Sequence, residues 1–459
     1  MITIAGLTLD VKNLPELDRG MLPLASIFEH MHTFGQVDYA VAVERPGGAV
    51  SVYRTKLLDG DGNFTANCLY IERLVKFLLW ARGGFRVTLC GERKVSEHVM
   101  KAYASDGVRA FDAAFMSRVY ERPFEVFCVQ YSQCPEENEP SRPVGRHLDG
   151  CRIGFDAGGS DRKVSAVIDG QAVYSEEVIW FPKENSDPAY HYKGIVQALK
   201  TAAAKLPRVD AIGVSSAGIY LENRTMVASL FIKVPTETFE LQVKDIYIRA
   251  AREIGGDIPL CVANDGDVTA LAGAMSINDG GVLGVAMGTS QAAGYINASG
   301  NITGWLNELA FAPVDAQPES VVDEWSGDKG CGVKYFSQDA VIRLAPRAGI
   351  ALIGGSSVEK LEQAQALIKQ GDERAGAIYR SMGVYFGHAL AQYAMFYDIR
   401  HVMVMGRVLS GQGGDILLSE TNRVLAQEYP HIKFRATAPD EKARRVGQSV
   451  AAASLPAVN

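Results

Sequence analysis

The sequence predicts an α/β protein of more than one domain, preceded by a small α+β module, and three observations carry that expectation. At 459 residues the chain exceeds what one hydrophobic core ordinarily organises, so two or three domains are expected. Short β-type runs ending in glycine- and hydroxyl-rich turns recur after residue 150 and alternate with helical stretches. Ahead of them, Ser132 to Pro143 is polar, proline-rich and poor in apolar residues, which marks a linker. The expected order is therefore a module over 1–131, a linker over 132–150, and the α/β part from 151 onward.

In the module, Tyr39–Glu44 and Val50–Arg54 read as a hairpin across Arg45-Pro46-Gly47-Gly48. Residues 69–82 read as a helix stopped by Gly83-Gly84. Phe85–Cys90 reads as a strand and 95–105 as a further helix. His30 and His32 sit close together, as a metal pair would. No third ligand follows at a useful spacing, and packing or surface roles are the expectation. Two short helices around a glycine turn with basic residues are lacking, which argues against a helix-turn-helix.

Composition excludes several function classes. The chain is 47% hydrophobic and 22% charged, as ordinary globular proteins are. A net charge of −7 without a basic run argues against nucleic acid as a partner. The seven cysteines are scattered and form no CxxC pair. That argues against a disulfide framework or zinc ribbon, and for a reducing compartment. The N-terminus shows no basic segment followed by an apolar one, and charges or glycines interrupt every long apolar run. A soluble cytoplasmic protein with no membrane partner is expected.

The stretch Ile153-Gly154-Phe155-Asp156-Ala157-Gly158-Gly159-Ser160, with the return run from Lys163, is the most informative one. Glycines suit a hairpin turn. An Asp ending a buried apolar strand is costly unless it has work to do, such as meeting a hydrated divalent cation beside a phosphate chain. By itself the motif also fits a hairpin with a polar tip. Val209–Gly218 is a buried strand entering a small-residue turn, and 236–255 reads as an amphipathic helix stopped by Gly255-Gly256. Ile258–Asp267 is a strand with a polar tip, Asn264-Asp265-Gly266-Asp267, leading into a small-residue helix. N-capping explains part of that tip. The remainder places carboxylates at a strand's C-terminal end, where α/β proteins bind ligands. Val282–Ile296 repeats the pattern around Gly288-Thr289-Ser290, whose amides and hydroxyls suit phosphate oxygens. His401–Gly414 is a strand into a glycine-rich turn before a helix at 415–427.

Together these residues, from about 151 to the C-terminus, resemble the ROK family of sugar kinases within the actin/hexokinase/Hsp70 superfamily. The resemblance implies a two-lobed actin-like ATPase (ribonuclease H-like) fold, with lobes over 151–272 and 273–459 and nucleotide between them. Asp156 to Ser160 resembles the family's first phosphate motif, with Ser for Thr, so Asp156, Gly158, Gly159 and Ser160 would serve ATP phosphates. Asp156 would also meet Mg²⁺ through water. Asn264-Asp265 resembles the catalytic tip, with Asp265 as general base and Asn264 on substrate hydroxyls. Gly288, Thr289 and Ser290 resemble the second phosphate motif, with fewer glycines than is usual. Gly406, Gly411, Gly413 and Gly414 resemble the adenosine-binding turn. Asn307 to Phe311 resembles a Glu-x-Gly-His segment that touches sugar, through Glu308. The small-residue stretch Val446–Leu455 resembles the closing helix that returns to the first lobe.

Departures accompany the resemblance. Phe311 stands where the family has His, and Val333 where it has a second sugar-contacting Glu. The family's zinc cysteines are reduced to Cys331, and one thiol cannot make a tetrahedral site, so no zinc is expected. The resemblance implies an ATP- and Mg²⁺-dependent sugar kinase, a transferase, acting on a sugar-like small molecule. A homodimer stays open as its assembly. The rival reading is a non-catalytic sugar- or nucleotide-sensing regulator using the same cleft, with the N-terminal module as output domain. A nucleotide-binding oxidoreductase fails for want of a Gly-x-Gly-x-x-Gly after a first strand.

Overall fold

The computed structural model describes residues 1–140, 144–439 and 447–458. The chain divides into two compact units. The first comprises Met1–Pro140, Val285–Ala293 and Gly304–Ala438, and the second Ser141–Gly284, Gly294–Thr303 and Pro439–Asn459.

The second unit is built on a five-stranded sheet in the order Leu260–Asn264, Ala211–Ser216, Cys151–Ala157, Asp161–Ile168, Gln171–Ile179. The first three strands are parallel and the last two antiparallel. Every residue of Cys151–Ala157 and Ala211–Ser216 is buried, as parallel strands covered on both faces require. Ile153 and Phe155 join Ile195, Leu199, Val214 and Tyr247 in one apolar cluster. Gly154 lies between them in sequence and so faces the other way. There the helix Gln448–Ala453 rests on the sheet: a Cβ at Gly154 or Gly213 would run into the carbonyl of Ser449 or Ala452. Val446, where that helix was expected to start, lies outside the described residues.

The predicted helix over 236–255 is broken. It forms a turn at Thr236–Thr238, a π-turn at Phe239–Val243 and a helix at Ile246–Arg252. The Lys244 carbonyl accepts the Thr225 amide at 2.8 Å, and this bond pulls it out of the helical ladder. Hydrophobic periodicity does not report such a bond. Gln171–Ile179, mostly exposed or half-exposed, is an edge strand that sequence reading missed.

The first unit contains a mixed sheet in the order Ala49–Leu57, Val37–Arg45, Arg86–Cys90, Glu125–Val129. The predicted hairpin is present, with Arg45 opposite Ala49. The predicted 69–82 helix runs from Phe64 to Arg82, longer because Asn67 exchanges two hydrogen bonds with the Leu58 backbone. The helices Leu24–Phe34 and Ala110–Tyr120 and the strand Glu125–Val129 were not foreseen. Residues 1–140 do not stand apart within this unit. Asp18 accepts the Tyr385 hydroxyl at 2.6 Å and pairs with Arg343 at 3.2 Å. In the stretch expected as a linker, Asn138 and Val50 exchange backbone hydrogen bonds of 2.9 and 2.7 Å. Ser141, Arg142 and Pro143 of that stretch lie outside the described residues. Another four-stranded sheet runs Gln291–Ile296, Val282–Met287, His401–Met405, Ala436–Thr437, of which Gln291–Ala293, Val285–Met287 and the last two strands fall in the first unit. Among the described residues no helix is long and apolar enough to cross a membrane.

Candidate functional site

Register builds the site of the second unit. Asp156 pairs with Ser215, and Ser216 with Asn264, so three parallel strands end level with one another. Their C-terminal ends gather Asp156, Ser215, Ser216, Asn264 and Asp265. The Ser215 hydroxyl donates to Asp156 Oδ1 at 2.8 Å. Asn264 caps the helix Asp265–Ile277 by accepting the Gly266 amide at 2.7 Å, and its Nδ2 donates to the Gly218 carbonyl at 2.8 Å. The capping expected from the sequence is therefore real, and it engages the Asn264 side-chain oxygen. Asp265, one residue on, accepts the same amide at 3.0 Å.

Both carboxyls are raised, and Asp156 feels the charge of Asp265. Burial pushes Asp156 up to about 6 against the pull of the Ser215 hydrogen bond, and the nearby Asp265 charge adds to the rise. Burial also raises Asp265 above the ordinary range, opposed by the Gly266 amide and by the Lys183 ammonium. Beyond Asp156 the turn is held open by Trp180, whose indole N–H donates to the Gly158 carbonyl at 2.8 Å. Ser160 donates to the Asp161 carboxylate at 3.1 Å.

Sequence reasoning missed three participants. Lys183 lies beside Gly159, where an added Cβ would stand 3.4 Å from its Nζ, and it also acts on Asp265. Ser215 supports Asp156. Gln448 donates to Ser215 at 2.9 Å and to the Asp265 carbonyl at 3.2 Å. Ser215 could have been found from the strand register. Lys183 carries no motif, and only the fold brings it here.

The first unit holds the other predicted residues. The turn Gly288-Thr289-Ser290 closes with the Gly288 amide donating to the Ser290 carbonyl at 2.9 Å, leaving Thr289 and Ser290 exposed. Gly406, at φ +105°, follows the neighbouring strand His401–Met405 and lies against the Met287 backbone, so these two turns lie at the same end of adjacent strands. Gly411 precedes the helix Gln412–Glu428. Gly413 and Gly414 pack tightly on Tyr379 and Leu409, which gives both a packing reason to be glycine. Glu308 sits elsewhere in this unit: its amide donates to the Trp80 carbonyl at 2.9 Å, and its carbonyl accepts the Phe311 amide at 3.1 Å. Gly332 links the two places, since a Cβ there would lie 2.6 Å from the Gln291 side chain and 2.7 Å from the Leu309 carbonyl.

The donor chemistry at Asp156 fits a hydrated Mg²⁺. One buried carboxylate suffices for an ion that keeps most of its waters. Among the described residues no three acidic, His or Cys side chains gather to hold a bare ion.

A family model described as the ROK family matches residues 152–452. The chain belongs to the ROK family. A ROK hexokinase from Thermus thermophilus is similar in structure, with TM-score 0.52 and 21% identity over 67% of this chain and 97% of that one. So is a ROK-family transcriptional regulator, a homologue of the E. coli MLC protein, with TM-score 0.50 and 17% identity over 67% of this chain and 78% of that one. No curated protein matches the sequence. These likenesses show the fold, the actin-like ATPase fold of ROK proteins, while residues 1–140 lie outside the matched region. At Phe311 and Val333, the two positions expected to depart from the ROK pattern, the side chains pack. The Phe311 ring lies 4.9 Å from Trp80 and 4.5 Å from Trp325, and Val333 is buried with Ala310 and Cys331.

Proposed function

We propose that this ROK chain transfers the γ-phosphoryl group of ATP to a hydroxyl of a sugar or sugar derivative, with Asp265 as general base. The observation that carries the reading is the level ending of three parallel strands, which sets Asp265 and Asp156 within electrostatic reach of one another. A helix N-terminus is an unusual place for a carboxyl to be raised, and a raised carboxyl suits proton abstraction.

In this scheme Asp265 takes the proton of the attacking hydroxyl as its oxygen bonds the γ-phosphorus, and ADP leaves. Asn264 and Glu308 orient neighbouring hydroxyls. Asn264 does so with the amide hydrogen and oxygen lone pair that the Gly218 and Gly266 bonds leave over. Amides and hydroxyls of Gly158, Gly159, Ser160, Gly288, Thr289 and Ser290 receive phosphate oxygens, and the Gly406–Gly414 turn receives adenosine. Lys183 adds a positive charge beside the first phosphate turn. Asp156 holds Mg²⁺ through water, and the bound ion supplies charge neutralisation on the phosphates.

The second reading, a non-catalytic regulator, is favoured by one observation: Phe311 and Val333 are packing residues where the family places sugar contacts. An ATP-consumption screen with Mg²⁺ over hexoses, amino sugars and polyols separates the two. Turnover with any of them, lost in Asp265→Asn, supports the kinase. Sugar binding without turnover across the panel overturns it in favour of the regulator.

A further inference from the structure

The segment that carries Glu308 is held by the N-terminal module through a buried charge cluster. Lys76 and Arg73 of the helix Phe64–Arg82, with Arg109 ahead of the helix Ala110–Tyr120, all converge on Asp328. Lys76 reaches Asp328 at 3.2 Å, Arg73 at 3.2 Å and Arg109 at 2.5 Å. Glu72 pairs with Arg73 at 2.8 Å and with Arg109, and Asp112 pairs with Lys76 at 2.7 Å. Three cations thus meet three anions, all nearly shut off from water, and Lys76 is fully buried. Of the six, only Asp328 comes from outside the module.

Two further contacts bind the same segment. The amides of Leu306, Asn307 and Glu308 donate to the carbonyls of Arg82, Ala81 and Trp80 at 3.2, 3.0 and 2.9 Å. These carbonyls end the helix Phe64–Arg82 and have no partner within it. Phe311 and Trp325 then pack on Trp80, and Trp325 also on Phe111 and Phe115. Burial by itself would raise the Asp328 carboxyl, yet Arg73 and Lys76 outweigh it and hold it below the ordinary range. The anion that closes the cluster is therefore charged at neutral pH.

We infer that the N-terminal module is a brace for the sugar-side segment, with Asp328, Lys76, Arg73 and Arg109 as positioning residues that fix where Glu308 sits. The inference rests on the kinase reading for the role of Glu308, but the brace itself does not depend on it. A module serving as a detachable output domain would have no reason to place its buried cations around a carboxylate of the segment at 304–334.

The test uses the full chain with Asp328→Asn and the charge-balanced pair Lys76→Met/Asp328→Asn. The pair removes one charge of each sign, so it keeps two cations against two anions and avoids an uncompensated buried charge. Hydrogen exchange on the amides of Leu306, Asn307 and Glu308 is read first. About tenfold or more faster exchange there in the pair, with the strand amides of 151–216 unchanged, supports the brace; unchanged exchange overturns it. On a sugar that the wild type phosphorylates, the pair raises the sugar KM about tenfold and leaves the ATP KM within about twofold. A parallel change in both KM values, or in neither, overturns the positioning role. A wild type without any turnover would remove the kinase reading and leave the exchange result to decide the brace.

Discussion

At the scale of single residues, Asp156 and Asp265 occupy an environment that disfavours charge on both. Asp156 is raised to about 6 in the folded protein, above the ordinary Asp value, so the folded state binds its proton more tightly than the unfolded chain does. Stability therefore falls as pH rises from about 4 through 6, and the whole penalty, on the order of 3 kcal/mol, stands above pH 6. Asp156→Asn removes it. The expected outcome in thermal melts is a higher midpoint than wild type at pH 7.5 and little difference near pH 4; a lower midpoint at pH 7.5 would contradict the assignment. Lys183 is exposed and supports no core, so Lys183→Met is expected to leave the midpoint unchanged while lowering kcat about tenfold or more, as loss of a phosphate-facing charge would. Wild-type kcat in that variant would remove Lys183 from the site. Asp156, Asn264 and Asp265 were legible in the sequence because polar groups ending apolar strands stand out. Lys183 and Gln448 were not, because nothing local distinguishes them from other surface side chains.

At the scale of elements, the second unit depends on a helix lying directly on backbone. Gly154 and Gly213 leave room for Gln448–Ala453, and that helix carries Gln448 to Ser215 and the Asp265 carbonyl. Gly213→Val is expected to lower stability by about 3 kcal/mol or more through overpacking, and to lower activity even below the melt, because Gln448 moves with the helix. A variant as stable as wild type in chemical denaturation would show that the helix can lift without cost. The strands that end at the site and their turns were legible, since short apolar runs bounded by glycine and polar residues have few alternatives, whereas the edge strand Gln171–Ile179 was not. The 236–255 helix was misread because the hydrogen bond that breaks it, from Thr225 to Lys244, is tertiary. The helix Ala110–Tyr120 was missed because its apolar residues interleave with Asp112, Ser117 and Arg118, and burial of Asp112 is explained by tertiary partners, Lys76 and Trp80.

At the scale of the molecule, the ROK part and the N-terminal residues do not divide where the family match begins. Residues 1–140 belong to the same compact unit as 304–438, through Asp18 with Arg343 and Tyr385 and through the Asp328 cluster. A chain lacking residues 1–140 would expose Trp80's partners and leave Asp328 without its cations. It is expected to aggregate or melt without a cooperative transition, whereas a soluble, cooperatively folding 141–459 fragment would contradict the shared unit. The composition break at 132–143 precedes the start of the family match at residue 152, but composition says nothing about what packs on what.

Phosphoryl transfer through Asp265 is tested most directly by Asp265→Asn, assayed for ATP-dependent phosphorylation of the sugar on which the wild type turns over, with ATP binding measured in parallel. The expected result is a folded protein that still binds ATP and transfers phosphate at least about 100-fold more slowly, the size of effect a lost general base produces. A variant that binds ATP and retains wild-type transfer would contradict it.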